Sequence, residues 1–272
     1  MDGISYIITT YNRPNLLERA IHSVISERIF PSELLIIDDA GSVEIVFSEA
    51  IKTHFGAAIR LIRNPNNLGV MGARNVGIRA AKYDFILFLD DDDESFPIRS
   101  KDLLPQISES DYAFVIAKCE MHTADTMRVV PYATQMAHNP ISLLMYPVHI
   151  NGIIWRKASL LALGGMDNRV PYFGEYVTLM LLVLKGEKAL QIESVVARFF
   201  YIDNGLTTKV IQENNMKQQL LSFYEVLVED SKNSPYHALF THIYALLPQQ
   251  NIYIFEDYWL FVYPILENWK ED

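Results

Sequence analysis

Four adjacent carboxylates, Asp90, Asp91, Asp92 and Asp93, follow directly on the apolar run FILFL and precede Glu94. Like charges this close repel and push one another's pKa up. A chain that drives a buried strand into them needs something that offsets the cost. Residues two apart in a strand face the same way. Asp90 and Asp92 can therefore present carboxylates to one side while Asp91 is aimed elsewhere. Hard oxygen ligands at a strand end suit Mg²⁺ or Mn²⁺, above all a cation shared with substrate phosphates. Such a cation would also remove the repulsion. The competing reading is a solvated acidic turn, and the apolar run that feeds it weighs against that.

Other segments hold residues of the same kind. TTYNRP places Tyr11 just after a β-rich run, where its ring can stack on a nucleobase or simply pack in a turn. IIDDAGS sets Asp39 beside a Gly-Ser turn, to accept from an imide or ribose group or to cap the next helix. NNLGVMGARNVGIRAA brings Arg74 and Asn75 near the start of a helix. Its glycines do not have the spacing of the dinucleotide fingerprint, so it does not read as a Rossmann oxidoreductase.

These residues need elements to hold them. Strands are expected at 4–10, 34–39, 58–64 and 84–90, alternating with helices at 16–25, 43–55 and 71–82. Asn12 is the expected cap of the first helix, with Pro14 in its first turn. This alternation gives an α/β fold with a mostly parallel sheet covered on both faces. Ligands of such sheets gather at the carboxyl ends of the strands, where YNRP, DDAGS and DDDD all fall. The second half is less regular. Strands are expected at 111–119, 151–157 and 189–202, a buried helix from 176 that Gly186 ends, another helix at 211–228, and an aromatic-rich tail from 235.

Taken in order, the segments resemble the GT-A glycosyltransferases of inverting family 2. The nucleotide half of that family runs strand, TYNR, VDDGS, N-x-G-x-x-x-A-R-N-x-G-I, FLD-x-DD, and residues 4–97 match it in order and spacing; the likeness continues more loosely to about residue 208. The resemblance implies a GT-A domain over 1–208, with a nucleotide half at about 1–110 and an acceptor side at 111–208. A helical and aromatic extension follows at 209–272. It also implies a Mn²⁺ or Mg²⁺ ion on Asp92, with Asp90 in support and Asp91 nearer the ribose. Tyr11, Asp39 and Arg74 match base-contacting positions of relatives that use uridine nucleotides, and Thr10 lies in the same segment. The implied reaction moves a sugar from a UDP-sugar to a hydroxyl of a glycan or lipid-linked glycan, in bacterial surface-polysaccharide or glycoconjugate assembly.

One position departs from the family. Its general base is usually the Asp of a Glu-Asp pair that opens a helix. Here LGGMDNRVPYFGEYVTLMLL supplies Glu175 followed by Tyr176. Either Glu175 is the base, one residue early at a helix start where a carboxylate is well placed, or the chain binds a sugar nucleotide with transfer impaired. A capping role is the plain alternative for Glu175. The histidine that some relatives place after the next strand is absent; Tyr201 and Asp203 stand near there, with Asp203 as a substitute ligand. The seven histidines show no metal spacing. His149 and Asn151 lie nearest the acceptor side.

Totals agree with this class. A formal charge of −10 argues against a nucleic-acid partner. A single cysteine, Cys119, fits a reducing compartment and leaves no internal disulfide. No signal peptide or bilayer-length apolar run is read, so a cytoplasmic protein is expected, loosely attached at most to the membrane's cytoplasmic face. The tail reads as packing or a homodimer face, and its acidic flanks weaken contact with an anionic membrane. A nucleotidyltransferase would need a Gly-rich triphosphate loop after the first strand, and TTYNRP is not one.

Overall fold

The computed structural model describes residues 3–29, 31–123, 126–130, 140–145, 148–201 and 206–269. The first half follows the expected alternation: β1 (Ile4–Thr10), α1 (Pro14–Ile25), β2 (Glu33–Asp38), α2 (Glu49–Phe55), β3 (Ile59–Arg63), α3 (Gly69–Ala80) and β4 (Phe85–Asp90). There follow β5 (Glu94–Ser95), α4 (Arg99–Ser108), β6 (Phe114–His122), β7 (Met127–Val129), α5 (Pro140–Met145), β8 (Ile153–Arg156), α6 (Lys157–Leu163), α7 (Gly174–Leu184), β9 (Ala189–Phe200), α8 (Leu206–Gln212), α9 (Met216–Asp230), α10 (His237–Leu246) and α11 (Phe255–Asn268).

The strands form one sheet in the order β3-β2-β1-β4-β8-β6-β9-β5, with β7 hanging on β6. From β3 to β4 every pair is parallel. Beyond β4 the sheet becomes mixed, because β8 runs against both of its neighbours and β5 against β9, while β6 and β9 are parallel. The strands read as unbroken apolar runs because successive residues enter two different cores. Tyr6, Ile8, Leu34, Ile36, Leu87 and Leu89 meet α1, α2 and α4 on one face. Ile7, Leu35, Ile37, Ile86 and Phe88 meet α3, α6 and α7 on the other.

Several boundaries differ from those expected. Asn12 does not cap α1: it has φ of +58°, and its Oδ1 accepts instead from the N–H groups of Ser42 (2.6 Å) and Val43 (3.1 Å). The helix starts from Arg13 with Pro14 in its first turn and no side-chain cap. α2 begins at Glu49 rather than at 43, after Ser48 at its cap position. The preceding VEIVF, rich in β-branched residues, stays out of the helix. The helix expected at 211–228 is two helices, divided where Asn214 takes φ of +51°. α9, α10 and α11 pack through Leu220, Phe223, Leu227, Phe240, Tyr258 and Val262 into the same apolar core as α7 and β8. Among the described residues no helix is long and apolar enough to cross a membrane.

Candidate active site

Register places the ends of the parallel strands side by side, Thr10 opposite Asp38 and Thr9 opposite Asp90. The acidic turn leaves the sheet there, and its four carboxylates take four different sets of partners. Asp90 Oδ1 accepts from Arg74 at 2.6 Å. Asp91 is fully buried, accepts from Thr10 Oγ1 at 2.6 Å and forms an ion pair with Arg13 at 2.6 Å. Asp92 accepts from the other nitrogen of Arg13 at 2.6 Å, and Arg19 donates to its carbonyl. Asp93 accepts from Asn151 Nδ2 at 2.6 Å and from the Phe200 N–H at 2.9 Å.

These partners offset the repulsion only in part. Burial raises Asp90, but Arg74 outweighs it and holds the carboxyl below the usual range. Burial pushes Asp91 up to about 7 against Arg13 and Thr10. Asp92 is raised by burial and by Asp90, and Asp93 well raised by burial and then by Asp92 and Asp90. The turn is an environment in which added positive charge is favourable.

Asp90, Asp93 and His149 bring one ligand atom each within 4.8 Å of one another. His149 lies flat on Phe199, with ring centroids 4.1 Å apart. Burial lowers it to about 4, so the ring is neutral at physiological pH. Its Nδ1 accepts from the Asn151 N–H at 3.4 Å, which leaves the proton on Nε2. As arranged, the cluster offers carboxylate oxygens to a cation, a donor set that fits Mg²⁺ or Mn²⁺. Asp92, expected beside Asp90, is instead turned to Arg13. Asp91 is buried beneath the turn rather than open to a ribose.

The remaining expected residues are distributed as follows. Tyr11 stands at the rim with 48% of its surface exposed. Asp39 is buried and accepts from Asn64 Nδ2 (2.7 Å) and the Leu68 N–H (2.9 Å), so it fixes the loop that leads to α3 instead of capping α2. Arg74 is 3% exposed and is no surface residue. It joins Asp90 to Glu175, whose Oε2 lies 3.4 Å away. Glu175 occupies the first turn of α7; burial raises its carboxyl, with Arg74 acting against that. Tyr176 goes the other way, accepting from the Val148 N–H and lining an apolar pocket with Leu144, Phe173, Phe223 and Tyr258. Asp203 lies outside the described residues.

The loop before α7 is fastened to the nucleotide half. Asn75 donates to the Met166 carbonyl (2.9 Å) and accepts from its N–H (2.7 Å). Gly165 makes this approach possible: its φ is +110°, and a Cβ there would lie 2.4 Å from Asn75 Oδ1. Sequence reasoning passed over Arg13, though it stands inside YNRP, and gave Asn75 and Asn151 no role. Their partners lie far along the chain. A cavity of about 300 Å³ lined by Leu163, Asp167, Arg169, Lys185 and Asp230 contains none of these residues.

The profile of the family described as "Glycosyl transferase family 2" matches residues 5–152. A Haemophilus influenzae protein described as an uncharacterized glycosyltransferase is 28% identical over 185 residues, 66% of this chain and 62% of its own length. The Campylobacter jejuni GalNAc(5)-diNAcBac-PP-undecaprenol beta-1,3-glucosyltransferase is 32% identical over 120 residues, 44% of this chain and 38% of its own. The matches thus span less than two thirds of either relative. S. aureus TarS 1-349 in complex with UDP-GlcNAc aligns with 88% of this chain and 71% of its own at a TM-score of 0.66 and 17% identity. The mannosyltransferase PcManGT from Pyrobaculum calidifontis, in complex with GDP-Man and Mn²⁺, aligns with 97% and 72% at 0.63 and 14% identity. At such identities the likeness is one of fold, and the fold is the GT-A fold.

Proposed function

The chain belongs to glycosyl transferase family 2, and from that membership we propose that it transfers a sugar, with inversion, from a UDP-sugar to a hydroxyl of a glycan or lipid-linked glycan. The observation that carries the reading is the buried Arg74, whose two terminal nitrogens pair with Asp90 of the acidic turn and Glu175 of α7. A donor-binding carboxylate and a candidate base are thereby set beside each other.

Glu175 takes the proton of the attacking hydroxyl. Its burial raises its basicity, which suits general-base work near neutral pH. The ring of Tyr11 lies open for a base to stack on. Arg13, the more exposed partner of Asp91 and Asp92, is placed to turn towards a diphosphate. Asp90 and Asp92, with Asp93 close to Asp90, would hold Mn²⁺ or Mg²⁺. When bound, the ion supplies charge that stabilises the departing diphosphate.

UDP is favoured because TarS is seen with UDP and UDP-GlcNAc, and because an E. coli relative, 33% identical over 90 residues, is a UDP-Glc:alpha-D-GlcNAc-diphosphoundecaprenol beta-1,3-glucosyltransferase. Relatives of this kind also support a polyprenol-linked acceptor and a role in bacterial polysaccharide or glycolipid assembly. A reaction in the cytoplasm, at the membrane surface, suits such a donor and acceptor. Leu260, 79% exposed, and Tyr263 on α11 are the residues for peripheral contact or self-association.

A second reading, a sugar-nucleotide binder with impaired transfer, draws on Tyr176, which fills the position after Glu175 and points into the core. Calorimetric titration with UDP, in Mn²⁺ and then in excess chelator, tests the donor site. Binding that needs Mn²⁺ and is lost in Asp92→Ala supports it, whereas GDP bound in preference to UDP would overturn the uridine assignment. Turnover of a UDP-sugar that survives in Glu175→Ala would remove Glu175 from the mechanism.

A further inference from the structure

Asn151 sits where a β-ladder runs out. β4 and β8 pair from Phe85 opposite Arg156 to Leu87 opposite Ile154, and the same register carried onward sets Asn151 against Asp90. The backbone has by then turned into the single 3₁₀ turn Ile150–Gly152. The Asn151 side chain takes over the pairing. Its Oδ1 accepts from the Asp90 N–H at 3.1 Å, and its Nδ2 donates to Asp93 Oδ2 at 2.6 Å. The residue is completely buried. Two further bonds close the turn: the Phe200 N–H donates to Asp93 Oδ1 at 2.9 Å, and the Asp93 N–H to the Asp90 carbonyl at 3.1 Å. The neighbouring glycine allows the approach, since a Cβ on Gly152 would lie 2.4 Å from the Ala117 carbonyl oxygen.

We infer that Asn151 is a positioning residue for the acidic turn: from the acceptor half of the chain, its amide fixes the Asp90 backbone and aims the Asp93 carboxylate, so that the turn offers preset oxygens to a divalent cation. This rests on the metal-dependent reading above. The residue type fits the task. A short amide supplies an acceptor and a donor at once, whereas alanine would leave both the Asp90 N–H and Asp93 Oδ2 without that partner in a buried place. Groups that orient metal-binding carboxylates govern affinity without touching the ion.

The test uses the whole chain and needs no acceptor. UDP affinity is titrated against Mn²⁺ and in excess chelator, with melting temperature followed alongside. Asn151→Ala is expected to raise the Mn²⁺ concentration needed for UDP binding by about 10–100-fold, with the chelator-only affinity near that of the native protein. Should that variant not fold, the exchange Asp93→Asn with Asn151→Asp decides. It keeps a donor facing an acceptor between the two positions and so restores melting, but it moves the charge, and the Mn²⁺ response stays weak. A native Mn²⁺ response in Asn151→Ala, or an exchange that restores both melting and Mn²⁺ response, overturns the inference. Native protein that binds UDP equally with Mn²⁺ and with chelator removes the metal reading itself, and this inference with it.

Discussion

Replacing Arg74 by methionine tests the centre of the site. Methionine keeps an unbranched apolar stem of similar reach but removes the guanidinium over the Phe88 ring and the charge shared by Asp90 and Glu175. Removing one partner of a buried ion pair costs about 3–5 kcal/mol, because the other charge is left uncompensated. The Asp90 side chain is 26% exposed and the Glu175 side chain 18%, so solvent relieves part of this and about 3 kcal/mol is expected at pH 7.5. The sign follows from the carboxyls. In the native protein Arg74 keeps Asp90 below its ordinary range, a contribution present above its unfolded pKa of about 4 and lost as pH falls through the folded value. In the variant burial acts on Asp90 and Glu175 without that opposition, so both take up protons at higher pH than before. The destabilisation should therefore shrink as pH falls from 7.5 towards 5. Urea unfolding of both proteins at the two pH values measures it. A loss below about 1 kcal/mol at pH 7.5, or an equal loss at both pH values, would refute the reasoning.

Glu175→Gln should lower kcat by about 10²–10⁴-fold with UDP affinity unchanged, as expected for a base that acts only during transfer. Tyr176→Phe removes the acceptor of the Val148 N–H; about 1–3 kcal/mol of stability should go while turnover persists, and loss of turnover at full stability would return Tyr176 to the mechanism. Asp92 is raised by burial and by Asp90, and Asp93 by burial and then by Asp92 and Asp90, and a cation that binds their ionised forms competes with protons. Mn²⁺ affinity should rise with pH as these carboxyls lose their protons, and calorimetry in buffers of different ionisation enthalpy should detect the release; a pH-independent affinity would mean that these carboxyls are already ionised.

Much of the nucleotide half was legible because its signals are local. Unbroken apolar strands, polar residues at their ends and the TYNR, DDAGS and ARN segments all lie within a few residues of what they specify. Where bonds span the chain, pattern gave no guide. Asn12 reads as a helix cap but is claimed by the 42–43 backbone 30 residues on. Asp93 reads as one acid among four, yet its environment comes from Asn151 and Phe200, 58 and 107 positions away. The direction of β8 was equally hidden, since an apolar run buried on both faces looks the same in either orientation. Arg99 shows the limit most plainly: a charged residue with no apparent partner in sequence is buried, donating to Tyr6 and to the Phe88 carbonyl.

The helices after residue 206 bear on Glu175 from behind. α7 presents Glu175 at its first turn, while Phe173 and Tyr176 beside it meet Phe223 of α9 and, across the same pocket, Tyr258 of α11. Tyr258 in turn shares a hydrogen bond with Tyr224. The tail is therefore a wall behind the first turn of α7: side chains at 223 and 258 reach Glu175 through its chain neighbours Phe173 and Tyr176. The setting of Glu175 thus depends on residues that lie outside the acidic turn and far along the chain.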